Sequence, residues 1–167
     1  VLRGTTISDN LMYGLRYWSN GNLPEDGVGV STELLLDNVT VENNSKGGVF
    51  LAGYNNAQYQ NLTMTGETEI RNNSGPGITA FVQQIEDSEI TITGGKIRGN
   101  KAANGAGIYF AYGGSESGGS EITLAAVTIR DCEISGNTAT GEGGAFLSLP
   151  RHTIRRLTFE NSVITGN

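Results

Sequence analysis

The 167-residue chain is poor in the residues that many folds and chemistries depend on. It has one cysteine, one histidine and three prolines. A single cysteine excludes an internal disulfide framework and a cysteine-rich metal site. Three prolines among 25 glycines exclude collagen and a Pro/Gly-rich disordered tract. Only 17% of residues are charged, and 17 acidic residues against 11 basic ones leave a net charge of −6. That balance speaks against a non-specific grip on nucleic acid, which needs clustered Lys and Arg. No apolar run approaches the length of a bilayer span. No segment carries a helical period.

What is present is repetition. A β-branched aliphatic, any residue, then Asp, Asn or Gly, then Asn occurs six times: Ile7–Asn10, Val41–Asn44, Ile70–Asn73, Ile97–Asn100, Ile134–Asn137 and Ile164–Asn167. A Gly-led apolar stretch follows the first five copies, at Gly14, Gly48, Gly77, Gly107 and Gly144. Five or six residues before each of the last five copies stands an apolar-x-apolar triplet: Leu34–Leu36, Leu62–Met64, Ile90–Ile92, Val127–Ile129 and Leu157–Phe159. Each repeat of about 30 residues thus holds three short alternating segments separated by Gly/Asn turns. Such a unit buries its apolar face only by stacking on its neighbours. The pattern predicts an all-β, right-handed parallel β-helix of about five three-stranded coils, with residues 1–167 as one solenoid domain. At about 4.8 Å per coil the rod is on the order of 25 Å long.

The turn chemistry predicts two columns. Asp9, Asn43, Asn72, Gly99, Gly136 and Gly166 are residue types that tolerate positive φ, so they mark a left-handed corner. The next position, Asn10, Asn44, Asn73, Asn100, Asn137 and Asn167, is then expected to face inward as a ladder of stacked amides.

The stretches Ile134–Phe146 (ISGNTATGEGGAF) and Ile97–Tyr109 (IRGNKAANGAGIY) resemble repeats of bacterial surface β-helix proteins. Among these are the polymorphic outer-membrane protein repeats and large adhesin-like proteins of bacteria and archaea. The resemblance implies a pectate-lyase-like fold, an extracellular or cell-surface location, and a structural or adhesive role in a surface adhesin or filament. Because function is grafted onto such scaffolds, a carbohydrate-binding or polysaccharide-cleaving β-helix is the alternative.

Catalytic signals are weak. Cleavage of a glycosidic bond by hydrolysis needs two flanking carboxylates, and no two fall on adjacent coils beside the triplets. His152 is expected in a surface loop, and Cys132 at a turn position shared with Ser162 and Gly95. The loops 19–33 and 113–121 carry Glu25, Asp26, Glu116 and Glu121, without a recognisable Ca²⁺ motif; solvated loop charge is preferred to Ca²⁺, and no cofactor is expected. An outward Thr column (Thr63, Thr91, Thr128, Thr158) is read as ordinary β-surface. Glu69, Lys96 and Glu133 are expected to form a charge ladder.

The strand after each Gly carries the candidate binding stripe: Arg16, Trp18, Phe50, Phe81, Tyr109 and Phe146. Two registers stay open, because a one-residue slip would bury Phe50 and Phe146 instead. If outward, the stripe needs a protein surface or a sugar ring to cover it. Both ends of the repeat pattern stop mid-coil. The expected partners are therefore neighbouring coils of a longer chain or head-to-tail copies of the same one, with a carbohydrate or a cell-surface protein as a possible ligand. No nucleic acid and no membrane span in this segment are expected.

Overall fold

The computed structural model describes residues 1–21, 31–55, 59–83, 88–112, 122–148 and 152–167. Among them there is no helix, and the strands wind into a solenoid of parallel sheets. Sheet I runs through Leu2–Arg3, Ser31–Asp37, Tyr59–Thr65, Ser88–Thr93 and Ile122–Arg130; the last strand pairs with both His152–Ile154 and Leu157–Glu160. Sheet II is made by Thr6–Ser8, Thr40–Glu42, Glu69–Arg71, Lys96–Arg98, Glu133–Ser135 and Val163–Thr165, the strands that hold the repeating Ile/Val. Sheet III contains Tyr13–Gly21, Gly47–Asn55, Ile78–Gln83, Ile108–Tyr112 and Phe146–Ser148. A short fourth sheet pairs Lys101–Ala102 with Thr138–Ala139. It exists only in the two coils whose Asn-to-Gly spacing is seven residues rather than four, so the extra residues form an additional wall.

Inward residues of the three main sheets form one core. Leu36, Leu62, Ile70, Ile78, Ile92, Ile97, Ile108 and Ile134 are all fully buried within it. Burial of such side chains contributes roughly 1.5–3 kcal/mol each, which is the main drive for coils to stack. The third residue of every motif copy has a left-handed backbone, with φ between 53° and 62° at Asp9, Asn43, Asn72, Gly99, Gly136 and Gly166. A second left-handed corner, between sheets I and II, holds Gly4, Asn38, Gly66, Gly94, Asp131 and Asn161.

The asparagine column forms a continuous ladder. The Oδ1 of Asn100 accepts from the backbone N–H of Asn73 (3.1 Å) and from its Nδ2 (2.9 Å). The Nδ2 of Asn100 donates to Ile70 O (3.0 Å) and to Asn137 Oδ1 (2.9 Å). The same links join Asn10 to Asn44, Asn44 to Asn73 and Asn137 to Asn167. Asn44, Asn73, Asn100 and Asn137 are buried, yet their amides are fully satisfied. The Gly that opens sheet III fits beside this ladder. A Cβ at Gly14 would lie 2.5 Å from Asn44 Nδ2, and one at Gly77 would lie 2.8 Å from Asn100 Nδ2.

Three expectations are corrected by register. Ile90 pairs with Gln60 and Ile92 with Leu62, two residues away from the triplet-on-triplet alignment. Gln60, buried at 4% exposure, takes an inward place that apolar spacing alone does not reveal. As a result Thr91 and Thr128 are in register, but Thr63 lies beside Thr93 and leaves the Thr column. Phe146 pairs with Ile108, so it joins the inward column, with its ring centroid 5.3 Å from Phe110. The slip arises because Ile108 is in register with Phe146 and not with Ala145, and a one-residue shift turns every side chain to the other face. His152 opens a short strand of sheet I and is not in a loop.

Candidate functional site

The outer faces of sheets I and II carry polar and charged side chains, some of them paired across coils. On sheet II, Arg71 Nε donates to Glu42 Oε2 (2.9 Å), while Arg71 Nη1 (2.7 Å) and Arg98 Nη2 (2.8 Å) both donate to Glu69 Oε2. Lys96 lies 3.9 Å from Glu69 and 3.4 Å from Glu67. Lys96 is in register with both Glu69 and Glu133, whereas the Glu133 carboxylate accepts from Ser135 (2.9 Å). Burial pushes the Glu69 pKa up, but the hydrogen bond and charge of Arg98, with Arg71 and Lys96, outweigh it and hold the carboxyl below its ordinary value. On sheet I, Thr65 donates to Asp37 (3.1 Å) and Arg130 donates to Thr93 (3.1 Å).

Sheet III differs. Alternation along its strands places Arg16, Phe50, Thr79 and Tyr109 in one outward column, with Trp18, Ala52, Phe81 and Ala111 in the next. The Arg16 guanidinium lies over the Trp18 ring at 4.4 Å and near the Phe50 ring at 5.1 Å. Phe50 packs against Tyr13 (centroids 4.8 Å apart) and Phe81 (5.7 Å). Five of the six stripe residues are thus brought together on one face; Phe146 is not. Tyr13 joins them, a residue that the strand pattern did not single out because it precedes the Gly.

These rings bound a groove of about 470 Å³. Tyr13, Phe50, Phe81 and Tyr109 line it, together with residues 74–76 and 102–104. Close approach shapes the rim: a Cβ at Gly105, where φ is +59°, would meet the Tyr109 Cβ at 2.7 Å. Thr79 lines the groove; it is 2% exposed, and its hydroxyl has no hydrogen-bond partner. No lining residue is charged. Burial, with Tyr13 nearby, raises the Tyr109 pKa above its ordinary value, so the phenol stays neutral.

The family described as "Right handed beta helix region" matches residues 26–167, most of the chain. The chain belongs to the right-handed β-helix family. Curated proteins and solved structures yield no match. The family settles the fold of this β-helix and leaves its activity to the site.

The remaining candidates of the β-helix fall as follows. Cys132 sits at the turn before sheet II and is buried; its N–H donates to Ser162 Oγ (3.2 Å) and its thiol to Gly94 O (3.2 Å). Burial pushes that thiol up to about 12, so it is no nucleophile. Among the described residues no three metal-ligating side chains cluster. Glu25, Asp26, Glu116 and Glu121 lie outside the described residues, as do 22–30 and 113–121 of the two long insertions.

Proposed function

We propose that this β-helix is a structural and adhesive element of an extracellular or cell-surface protein, and that it adheres through the outer face of sheet III. One observation carries the reading: aromatic rings from successive coils bound a groove with no charged residue in its lining, on the outer face of sheet III. A patch of aromatic surface held on a rigid frame is a binding face. The reading includes stacking with further coils, of a longer chain or of a second copy. Each rung of the asparagine ladder offers the next the same donors and acceptors, so coils add without new chemistry.

The test is retention on coated surfaces. The protein is applied to plates bearing neutral polysaccharide, acidic polysaccharide or extracellular-matrix protein. Retention is expected on at least one coating, and Phe81→Ser with Tyr109→Ser should abolish it with circular dichroism unchanged. Retention of the double variant at the wild-type level, or no retention on any coating, overturns the reading.

A further inference from the structure

We infer that the sheet III groove binds a polyproline II segment of a protein partner, with a proline over Thr79 and an acidic side chain, three residues away, on Arg16. The inference rests on the adhesive reading above and names the partner class of the same face.

Arg16 supplies the charge. It is exposed, and its guanidinium lies over the Trp18 ring at 4.4 Å and 5.1 Å from the Phe50 ring. On sheet II, Arg71 and Arg98 are matched by Glu42 and Glu69. Arg16 has no ion pair among the described residues. A planar guanidinium held on aromatic faces keeps its N–H edge for a carboxylate. No charged residue lines the groove beside it. The ligand that fits is therefore anionic over Arg16 and apolar beyond.

Shape and spacing supply the rest. Arg16, Phe50, Thr79 and Tyr109 are successive members of one outward column. Thr79 is the small residue between Phe50 and Tyr109, and in the next column Phe81 stands between Ala52 and Ala111. Large and small side chains alternate in both directions, which leaves a dip at Thr79. Tyr13 and Phe81 are tilted against Phe50 by 52° and 36°. Tilted rings make a cup for a compact puckered ring, not a slot for a flat one. Proline is such a ring, and polyproline II segments dock on aromatic-lined grooves. Thr79 lies two coils from Arg16, about 9.6 Å; one turn of polyproline II is three residues, about 9.3 Å. The lining comes from four successive strands of sheet III, so the groove runs across them and its occupant does not extend the sheet. Such an occupant binds through its side chains and through the backbone carbonyls that polyproline II leaves free. The phenols of Tyr13 and Tyr109, both in the lining, are donors for those carbonyls.

The experiment titrates the intact protein with an end-blocked heptapeptide of five prolines between two aspartates. Its middle proline is three residues from an acid in either direction, so the polarity of binding does not matter. Trp18, the single tryptophan, carries Arg16 on its ring and reports by fluorescence. Saturable binding that weakens with salt is expected. Asparagine for both aspartates, or Arg16→Gln, should each weaken it about fivefold, the upper end for an exposed charge pair. The two changes together should cost no more than either alone, with the melting temperature of Arg16→Gln unchanged. Losses that add independently overturn Arg16 as the partner of the carboxylate. Equal affinity for a peptide with glycine and serine in place of the prolines overturns the polyproline II form. Binding of a galacturonate hexamer and not of the peptide overturns the partner class, and peptide binding untouched by Tyr109→Ser overturns the place. Groove-dependent retention on a coating, with no binding of the proline peptide, overturns this inference and leaves the adhesive face standing; no retention on any coating and no peptide binding removes both.

Discussion

Replacing Asn100 with alanine deletes one rung of the ladder, and its cost follows from the hydrogen bonds it breaks. Two donors of Asn73, the backbone N–H and one amide N–H, lose the oxygen they share. Asn73 is 1% exposed, so water does not readily replace that oxygen. Ile70 O and Asn137 Oδ1 each lose one donor, but Asn137 Oδ1 keeps the Asn100 N–H at 3.1 Å. Two stranded buried donors at about 1–3 kcal/mol each bound the loss, and partial relaxation brings the expectation to about 3 kcal/mol. That is a large share of the roughly 5–15 kcal/mol that stabilises a typical domain. Asn10→Ala is the internal control. Asn10 is exposed, and Asn44 Oδ1 still accepts its backbone N–H at 3.1 Å, so the loss is expected to be under about 1 kcal/mol. Urea unfolding followed by circular dichroism gives the global difference, and hydrogen exchange at the Asn73 amide gives the local one. Equal midpoints for Asn100→Ala and wild type, with the Asn73 amide equally protected, would refute the ladder as a source of stability.

Phe146→Ser is expected to lower the melting temperature by several degrees through loss of its contact with Phe110, whereas Tyr109→Ser leaves it nearly unchanged; thermal unfolding of the two variants separates core ring from groove ring. Glu69 has a folded pKa below its ordinary 4.5, so the unfolded chain binds its proton more readily. The stability from its ion pairs is therefore full above that ordinary value and lost as pH falls through the folded one. Glu69→Gln should accordingly melt below wild type at pH 7, with the gap closing in acid; a gap independent of pH would count against the ion-pair account. The Cys132 thiol is expected to resist a disulfide reagent at pH 8 in the folded protein and to react at once in urea, since burial holds its pKa near 12.

Local chemistry was the legible part of this fold. The residue types at Asp9, Asn43, Asn72, Gly99, Gly136 and Gly166 required a left-handed corner, and all six have it. The Asn beside each corner then had one place to go. Register was less legible, because it depends on which residues are counted as inward. Gln60 is polar and sits in the core column, which hid a two-residue offset between neighbouring coils. Gly143 and Gly144 offered two ways to align the fifth coil, and the wrong one turned Phe146 outward. The fourth sheet was visible only as a change in Asn-to-Gly spacing. Thr79 had no local signal. It is an ordinary outward strand residue until Phe50 and Tyr109, from the coils on either side, close around it.

Methyl NMR locates ligand binding on sheet III most directly. The threonine and alanine methyls of the intact protein are labelled, and the protein is titrated with a soluble form of the coating that retains it best. Shifts are expected at Thr79, Ala102, Ala103 and Ala111, which line the groove, while Thr63, Thr91 and Thr128 on sheet I stay in place. Shifts confined to the sheet I threonines, or none at Thr79 under saturating ligand, would contradict it.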